Sequence, residues 1–160
     1  MLEETNAMII VTDAGFASDD RAERLMAGTY GEVSLADLQA GLPANRPASI
    51  GLVADNDIDA HAVAPHFKVL DAIIIGFPSF ADGRGFSLAM QLRRLGFTGR
   101  LVAQGHVIAD QYVHARRCGF DAVAIGEGLA ARQPEAGWLA RLTRINATYQ
   151  RRLHQAAQVA

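Results

Sequence analysis

The strongest constraint on the fold is a pair of apolar runs, residues 50–53 (IGLV) and 72–77 (AIIIGF). Both runs are rich in β-branched residues, have the length of strands and do not alternate with polar residues. Strands with this pattern are usually covered on both faces, as they are in parallel sheets. We therefore expect an α/β protein built around a parallel sheet.

Amphipathic segments follow these strands and complete two βαβ units. Residues 87–95 place Leu88, Leu92 and Leu95 on one helical stripe, and Gly96 is suited to end that helix. The pattern then predicts a strand, a helix and a strand at residues 101–103, 108–118 and 122–125. The first quarter of the chain is less informative and predicts one short strand at residues 7–11, followed by two short helices.

These elements predict a single α/β domain over residues 1–160, with a core at about residues 50–128 and a C-terminal helix at about 135–157. The sheet is expected to have four or five parallel strands with helices on both faces, and a partial βα barrel is the alternative. Ligands of such sheets bind outside the carboxyl ends of the strands. Three loops are predicted to meet there, at residues 78–86, 104–107 and 126–129.

Composition narrows the classes of partner. The 15 Lys and Arg residues nearly balance the 17 Asp and Glu residues, so no general field attracts nucleic acid or an anionic membrane. No apolar run approaches the roughly 20 residues that span a bilayer. Cys118 is the only cysteine and suits a reducing compartment. We expect a cytoplasmic protein without nucleic-acid or membrane partners, and a homo-oligomer is compatible with these features.

The densest cluster of functional side chains is FPSFADGRGFS, residues 77–87, which joins a strand to a helix. If Gly83 and Gly85 take positive φ, the backbone can approach an anion, and Arg84 can add a bidentate contact. The alternative is an ordinary turn in which Asp82 pairs with Arg84 or caps the helix. A dinucleotide fingerprint is disfavoured, because Leu88 stands where the third glycine belongs.

Metal and acid–base chemistry have weaker support. His106 follows a predicted strand end and is a candidate acid, base or metal ligand. His114 and Cys118 are four residues apart, but zinc needs two further ligands and no other cysteine exists. Residues 55–57 (DND) could hold a hard cation, although a strand-to-helix turn explains them equally well. We predict no metal site, and the sequence identifies no cofactor.

Four segments between Phe77 and Asp121 resemble the uncharacterised bacterial family called domain of unknown function nine-three-four: FPSFADGRGFS, LRRLGFTG, GHVIADQ and RRCGFDA. The resemblance implies a gene encoded beside sulfite reductase and other sulfate-assimilation genes, and some members are labelled probable oxidoreductases of sulfite reduction. The family usually has an acidic residue at the position of His106. The matching positions are Phe77, Pro78, Phe80, Asp82, Gly83, Arg84, Gly85, Ser87, Arg93, Gly99, Ala103, Gly105, Asp110, Gln111, Arg117, Gly119, Phe120 and Asp121.

Two functional hypotheses follow from the resemblance. The first is an accessory or regulatory protein of assimilatory sulfite reduction, which binds a small anion or a partner enzyme such as sulfite reductase. The second is a small α/β enzyme or oxidoreductase acting on an oxyanion-bearing metabolite, with Asp82 and His106 as candidate catalytic residues; whether the chain is an enzyme stays open. The predicted ligand-binding residues are Asp82, Gly83, Arg84, Gly85, Ser87, Asp110 and Gln111.

Overall fold

The computed structural model describes residues 8–143, which form a seven-stranded sheet and its connecting helices. The strands are β1 (Met8–Thr12), β2 (Gly15–Ser18), β3 (Tyr30–Val33), β4 (Ser49–Ala54), β5 (Ala72–Phe77), β6 (Arg100–Gly105) and β7 (Ala122–Gly126). The helices are α1 (Arg21–Met26), α2 (Leu35–Ala40), α3 (Ala60–Val63), a 3-10 helix (Ala64–Val69), α4 (Arg84–Arg94), α5 (Ala109–Cys118), α6 (Glu127–Arg132) and α7, which is described over residues 135–143.

The sheet is larger than the sequence predicts, and it is not wholly parallel. Its strand order is β2-β1-β7-β6-β5-β4-β3. Strands β3 to β7 pair in parallel, whereas β1 pairs antiparallel with both β7 and β2. The expectation of four or five parallel strands is therefore wrong for the sheet as a whole. Strands β2 and β3 were missed because GFAS and YGEV contain too few apolar residues to set a strand period.

Helices α2 to α5 pack on one face of the sheet, whereas the opposite face carries only the short helix α1, so the expected helices on both faces are very unequally distributed. Buried side chains of α2, α3, α4 and α5 share one core with residues such as Leu52, Ile73 and Leu101. The opposite face has its own cluster, which contains only strand residues within the described part of the chain. Strands β3 to β7 are added to the sheet in one direction, and right-handed crossovers place the helices between them on the same side. A partial βα barrel is wound in the same way, but here the sheet stays open between β2 and β3.

We call the opposite face the helix-free face, because no helix that connects the parallel strands packs on it; it is crossed only by the segment of the described chain that joins the two edge strands. We call residues 19–29 the strap, and it contains α1. Helix α1 has no buried residue, and Met26 is 91 % exposed. The strap is attached to the sheet by Arg21, whose guanidinium donates to the Gln104 side chain at 2.6 Å. Gln104 lies on β6, two residues after Val102 of the helix-free face.

Local signals for helix ends agree with the structure. Ser34 and Asp37 form a capping box at the start of α2, and Gly119 ends α5 in the left-handed region at φ 108°. The sequence of the C-terminal helix predicts one apolar face with Trp138, Leu142, Ile145 and Tyr149. In α7, Trp138 is fully buried, and Ile145 and Tyr149 lie outside the described residues. Between residues 8 and 143, no helix combines the length and the apolar character that crossing a membrane requires.

Candidate functional site

A cavity opens at the carboxyl ends of the parallel strands, where the sheet topology predicts a ligand site. Its volume is about 410 Å³. Three neighbouring strand ends contribute to the lining, which consists of Asp55, Asn56, Asp57, Gly76, Phe77, Pro78 and Gln104. We call it the strand-end cavity. The side chains Asp55 and Asp57 are exposed, so acidic groups dominate its rim.

Asn56 is the buried polar residue of this cavity. It is 8 % exposed, and its Nδ2 has no hydrogen-bond partner among the described residues. The Asp82 carboxylate is close enough for the Asn56 amide to help lower its pKa, although no hydrogen bond of normal geometry joins the two groups. An unpaired buried amide costs stability, and it is available to a ligand or an ordered water molecule.

Asp82 and Arg84 form a two-pronged ion pair in the turn before α4. Arg84 Nε donates to Asp82 Oδ1 at 3.0 Å, and Nη2 donates to Oδ2 at 2.8 Å. The Arg84 side chain is 63 % exposed. The arginine and, to a smaller extent, Asn56 hold the pKa of Asp82 well below its usual value. A carboxylate with such a low pKa is a weak general base, and the guanidinium that would clamp an anion is already occupied.

The two glycines of this turn do not have the conformation that an anion cradle requires. Gly83 has φ −86°, and Gly85 is not among the residues with positive φ. The expectation of positive φ at both positions is therefore wrong. A Cβ atom at Gly85 would overlap the Phe77 ring, so this glycine permits close packing of α4 against β5. At Gly83 a Cβ atom would make only an ordinary contact with Phe86.

The loop between β5 and α4 is rigidly tethered but presents an aromatic ring to solvent. We call residues 79–84 the exposed loop. Gln111 Nε2 donates to the Phe80 carbonyl at 2.6 Å, and Asp82 N donates to the Ser79 carbonyl at 3.1 Å. The Phe80 residue is nevertheless 58 % exposed. Its side chain is thus placed by a fixed backbone without being used in the core.

The other predicted residues are distributed around this loop. Gln111 has a structural role, because its Oε1 also accepts from Ile108 N at 3.2 Å. Asp110 accepts from Arg141 of α7 at 2.6 Å. Ser87 is exposed on α4, and His106 is exposed just after β6. Within residues 8–143, no group of three or more His, Cys, Asp and Glu side chains is arranged to hold a metal ion.

Sequence reasoning missed two features of this site. Asn56 was treated as part of a turn, and its position directly after a buried strand was the available signal. Phe80 was named only through the family pattern, because an exposed phenylalanine cannot be distinguished locally from a buried one. Burial separates it from Phe77 three residues earlier, which is 2 % exposed.

Several further residues of the family pattern are used by the fold. Arg93 donates to the carbonyl oxygens of Phe97, Gly99 and Gly119 at 2.8 to 3.0 Å, and to Asp121 Oδ2 at 2.9 Å. The same Asp121 oxygen accepts from Leu101 N at 2.8 Å. These contacts of Arg93 join the ends of α4 and α5 to the start of β6.

The comparison with protein families agrees with the motifs of this region. A family described as "Bacterial protein of unknown function (DUF934)" matches residues 51–159. The match covers more than half of the chain, and the chain therefore belongs to this family, the one that its motifs resemble. No curated protein and no solved structure matches the chain.

Proposed function

Taking this family membership as the starting point, we propose that the chain is an accessory protein of assimilatory sulfite reduction and acts in the cytoplasm. In this proposal the exposed loop docks a partner enzyme, and sulfite reductase is the first partner to test. The pathway assignment rests on the resemblance of the motifs to a family encoded beside sulfite-reductase genes. The choice of surface rests on the geometry of the loop.

The observation that carries the proposal is the exposed Phe80 ring on a tethered loop. Aromatic side chains are common anchors of protein interfaces, because they bury a large area and lose little conformational entropy. The hydrogen bond from Gln111 to the Phe80 carbonyl fixes the backbone in advance, which lowers the entropic cost of docking. The neighbouring Asp82–Arg84 pair adds a charged rim of both signs.

Docking of a protein is favoured over capture of a small anion at this loop. The Arg84 fork is paired with Asp82, and the adjacent strand-end cavity is bordered by Asp55 and Asp57. An anion would have to displace one carboxylate and approach two others. A partner that inserts the Phe80 ring into an apolar pocket avoids this repulsion and leaves the ion pair at the rim.

An enzyme acting on an oxyanion-bearing metabolite is the second candidate. The feature in its favour is the unpaired Nδ2 of Asn56 in the strand-end cavity, which can donate to a bound acceptor. His106 is exposed near the same edge and is the remaining candidate acid or base. The lowered pKa of Asp82, caused mainly by Arg84, makes this carboxylate a poor proton acceptor at neutral pH.

Co-purification tests the docking proposal. A tagged full-length chain is expressed in a bacterium that carries a member of this family. The wild-type chain should co-purify with sulfite reductase, and the Phe80→Ala variant should lose most of the co-purifying enzyme. Leu95→Ala is a matched control, because Leu95 is also an exposed apolar residue but lies at the end of α4, 36 % exposed. Equal retention by the wild type and Phe80→Ala would remove the loop from the interface. Equal loss in both variants would indicate a non-specific effect and would also contradict the proposal.

A further inference from the structure

A second cavity, separate from the exposed loop, lies between the strap and the helix-free face of the sheet. Its volume is about 430 Å³, which is within the range of small-molecule pockets. The floor is apolar and consists of Ile10, Ala72, Ile74 and Val102. Polar side chains of the strap and of the sheet surround this floor. We call it the strap cavity.

The strap is held in place by charges that neutralise each other. Arg21 forms a forked ion pair with Asp19 at 2.6 to 3.0 Å, and its Nη1 lies 3.7 Å from Glu32 Oε1. Burial acts to raise the pKa of Asp19, but the hydrogen bonds from Arg21 outweigh it and lower that pKa. The Asp19 side chain is 8 % exposed and that of Arg21 is 15 % exposed. These groups fix the wall of the cavity and are not free for a ligand.

Two other arginines at the cavity keep their donors available. Arg24 stacks over Tyr30, with its Cζ 5.0 Å from the ring centroid. Arg100 extends from β6 on the same face as Val102. Within the described chain, neither guanidinium forms an ion pair or a hydrogen bond with another side chain. Arginine in this state binds carboxylate, phosphate or sulfonate oxygens well.

Two of the three carboxylates at the cavity already accept hydrogen bonds from the protein. Asp19 is paired with Arg21, and Asp71 Oδ2 accepts from Ile50 N at 3.0 Å. Asp20 is the remaining carboxylate at the cavity, and it is exposed to solvent. The lining has three arginines and three aspartates, so it carries no net charge. The guanidiniums of Arg24 and Arg100 are the donors beside the apolar floor that an anion can engage.

We propose that the strap cavity binds a small organic anion whose apolar, ring-sized body lies on the floor and whose oxyanion group lies between Arg24 and Arg100. The occupant is a small molecule, because the cavity lies between the strap and the sheet, where a flat protein surface cannot enter. The proposal does not depend on the docking function, since the two sites share no residue.

Calorimetric titration of the full-length chain tests the proposal with three probes: phenyl phosphate, benzenesulfonate and inorganic phosphate. At least one aromatic anion should bind at millimolar concentration or below. Inorganic phosphate should bind about tenfold more weakly or not at all, because it cannot cover the apolar floor. Arg24→Gln and Arg100→Gln should each weaken the aromatic probe by about tenfold, which corresponds to one lost charged contact of about 1.4 kcal/mol.

Two controls make the result specific. Arg94→Gln removes the same charge from an exposed position on α4, in the helical layer, and should leave the affinity unchanged. Ala72→Leu fills the floor and keeps both guanidiniums, so it should abolish binding where melting shows that it folds. If that variant does not fold, the arginine variants decide the result.

Three outcomes would overturn the proposal. The first is that neither aromatic anion binds at millimolar concentration. The second is that Arg24→Gln and Arg100→Gln both bind like the wild type. The third is that Arg94→Gln weakens the probe as much as they do. Phe80→Ala should keep full affinity for the probe, so failure of this site and failure of the docking proposal can be distinguished.

Discussion

Two arginine–aspartate pairs in the motif-rich half of the chain look alike but are used differently. Arg93 Nη2 lies 2.9 Å from Asp121 Oδ2, and Arg84 Nη2 lies 2.8 Å from Asp82 Oδ2. Arg93 also binds three backbone carbonyls and is 26 % exposed, whereas Arg84 binds only Asp82 and is 63 % exposed. The Arg93 pair therefore connects separate elements of the fold, whereas the Arg84 pair is confined to one exposed turn.

The largest effect is expected for Arg93→Ala. The substitution removes the Arg93 donors from three carbonyl oxygens and one of the two donors from Asp121 Oδ2, and we expect a loss of about 3 kcal/mol in the free energy of unfolding. Arg93→Lys should restore less than half of it, because an ammonium group cannot reproduce the guanidinium fork. Urea denaturation measures both variants. A loss below about 1 kcal/mol for Arg93→Ala would show that Arg93 does not have the structural role that distinguishes it from Arg84.

Gly85→Ala and Gly83→Ala are a matched pair for the role of the glycines. At Gly85 the new methyl group overlaps the Phe77 ring, and we expect a loss of about 1–3 kcal/mol. At Gly83 the nearest atom outside the adjacent residues is 3.8 Å away, and the change should stay within about 0.5 kcal/mol. Thermal melting distinguishes the two variants. Equal losses would show that packing against Phe77 is not the reason for a glycine at residue 85.

A third arginine, Arg116, extends the structural class and gives a pH test. It donates to Asp13 at 3.0 Å, and this bond, together with one from Tyr112, lowers the pKa of Asp13 although burial opposes it. A carboxyl group whose pKa is lower in the folded than in the unfolded state stabilises the fold at pH values above its unfolded-state pKa. This stabilisation is lost as the pH falls through the folded-state pKa. Asp13→Asn should therefore cost about 0.5–1 kcal/mol at pH 7, discounted for exposure, and almost nothing near pH 2. Denaturation at both values checks the sign, and a larger loss at low pH would contradict it.

The smallest effect on stability is expected for Arg84→Ala, which should melt close to the wild type, because its pair with Asp82 is screened by water. Partner retention should fall only partly, since a rim charge mainly affects the rate of association. Arg84→Lys should behave similarly in stability. A loss of stability as large as that of Arg93→Ala would assign the Arg84–Asp82 pair to the fold and remove the contrast with Arg93.

Local sequence patterns predicted most of the elements but not how they are arranged. The runs at β4 and β5 are strands, and Gly96 follows α4 in a left-handed conformation, as the sequence indicated. The unalternating run AIIIGF predicted a strand buried on both faces, and we expected helices to cover both. The strand is buried on both faces in the structure. On one side that burial comes from helices and on the other from neighbouring strands and the strap. Strand order, which decides the side of each helix, is absent from any local pattern.

The candidate site shows the same limit. The sequence located the loop before α4 and paired Asp82 with Arg84 as one of two alternatives. It could not show that Gly85 packs against Phe77 or that Phe80 faces solvent, because both depend on contacts across the fold. Arg24 and Arg100 are 76 positions apart in the sequence, and the strap brings them to one cavity.

We propose that the exposed loop serves recognition and not the fold. Growth on sulfate as sole sulfur source, in a deletion strain carrying Phe80→Ala, tests it most directly, with Leu95→Ala as the control and the amount of folded protein measured alongside. We predict wild-type levels of folded Phe80→Ala and growth as poor as that of the deletion strain, with normal growth for Leu95→Ala. Full growth of the Phe80→Ala strain, or normal growth of the deletion strain itself, would contradict the account.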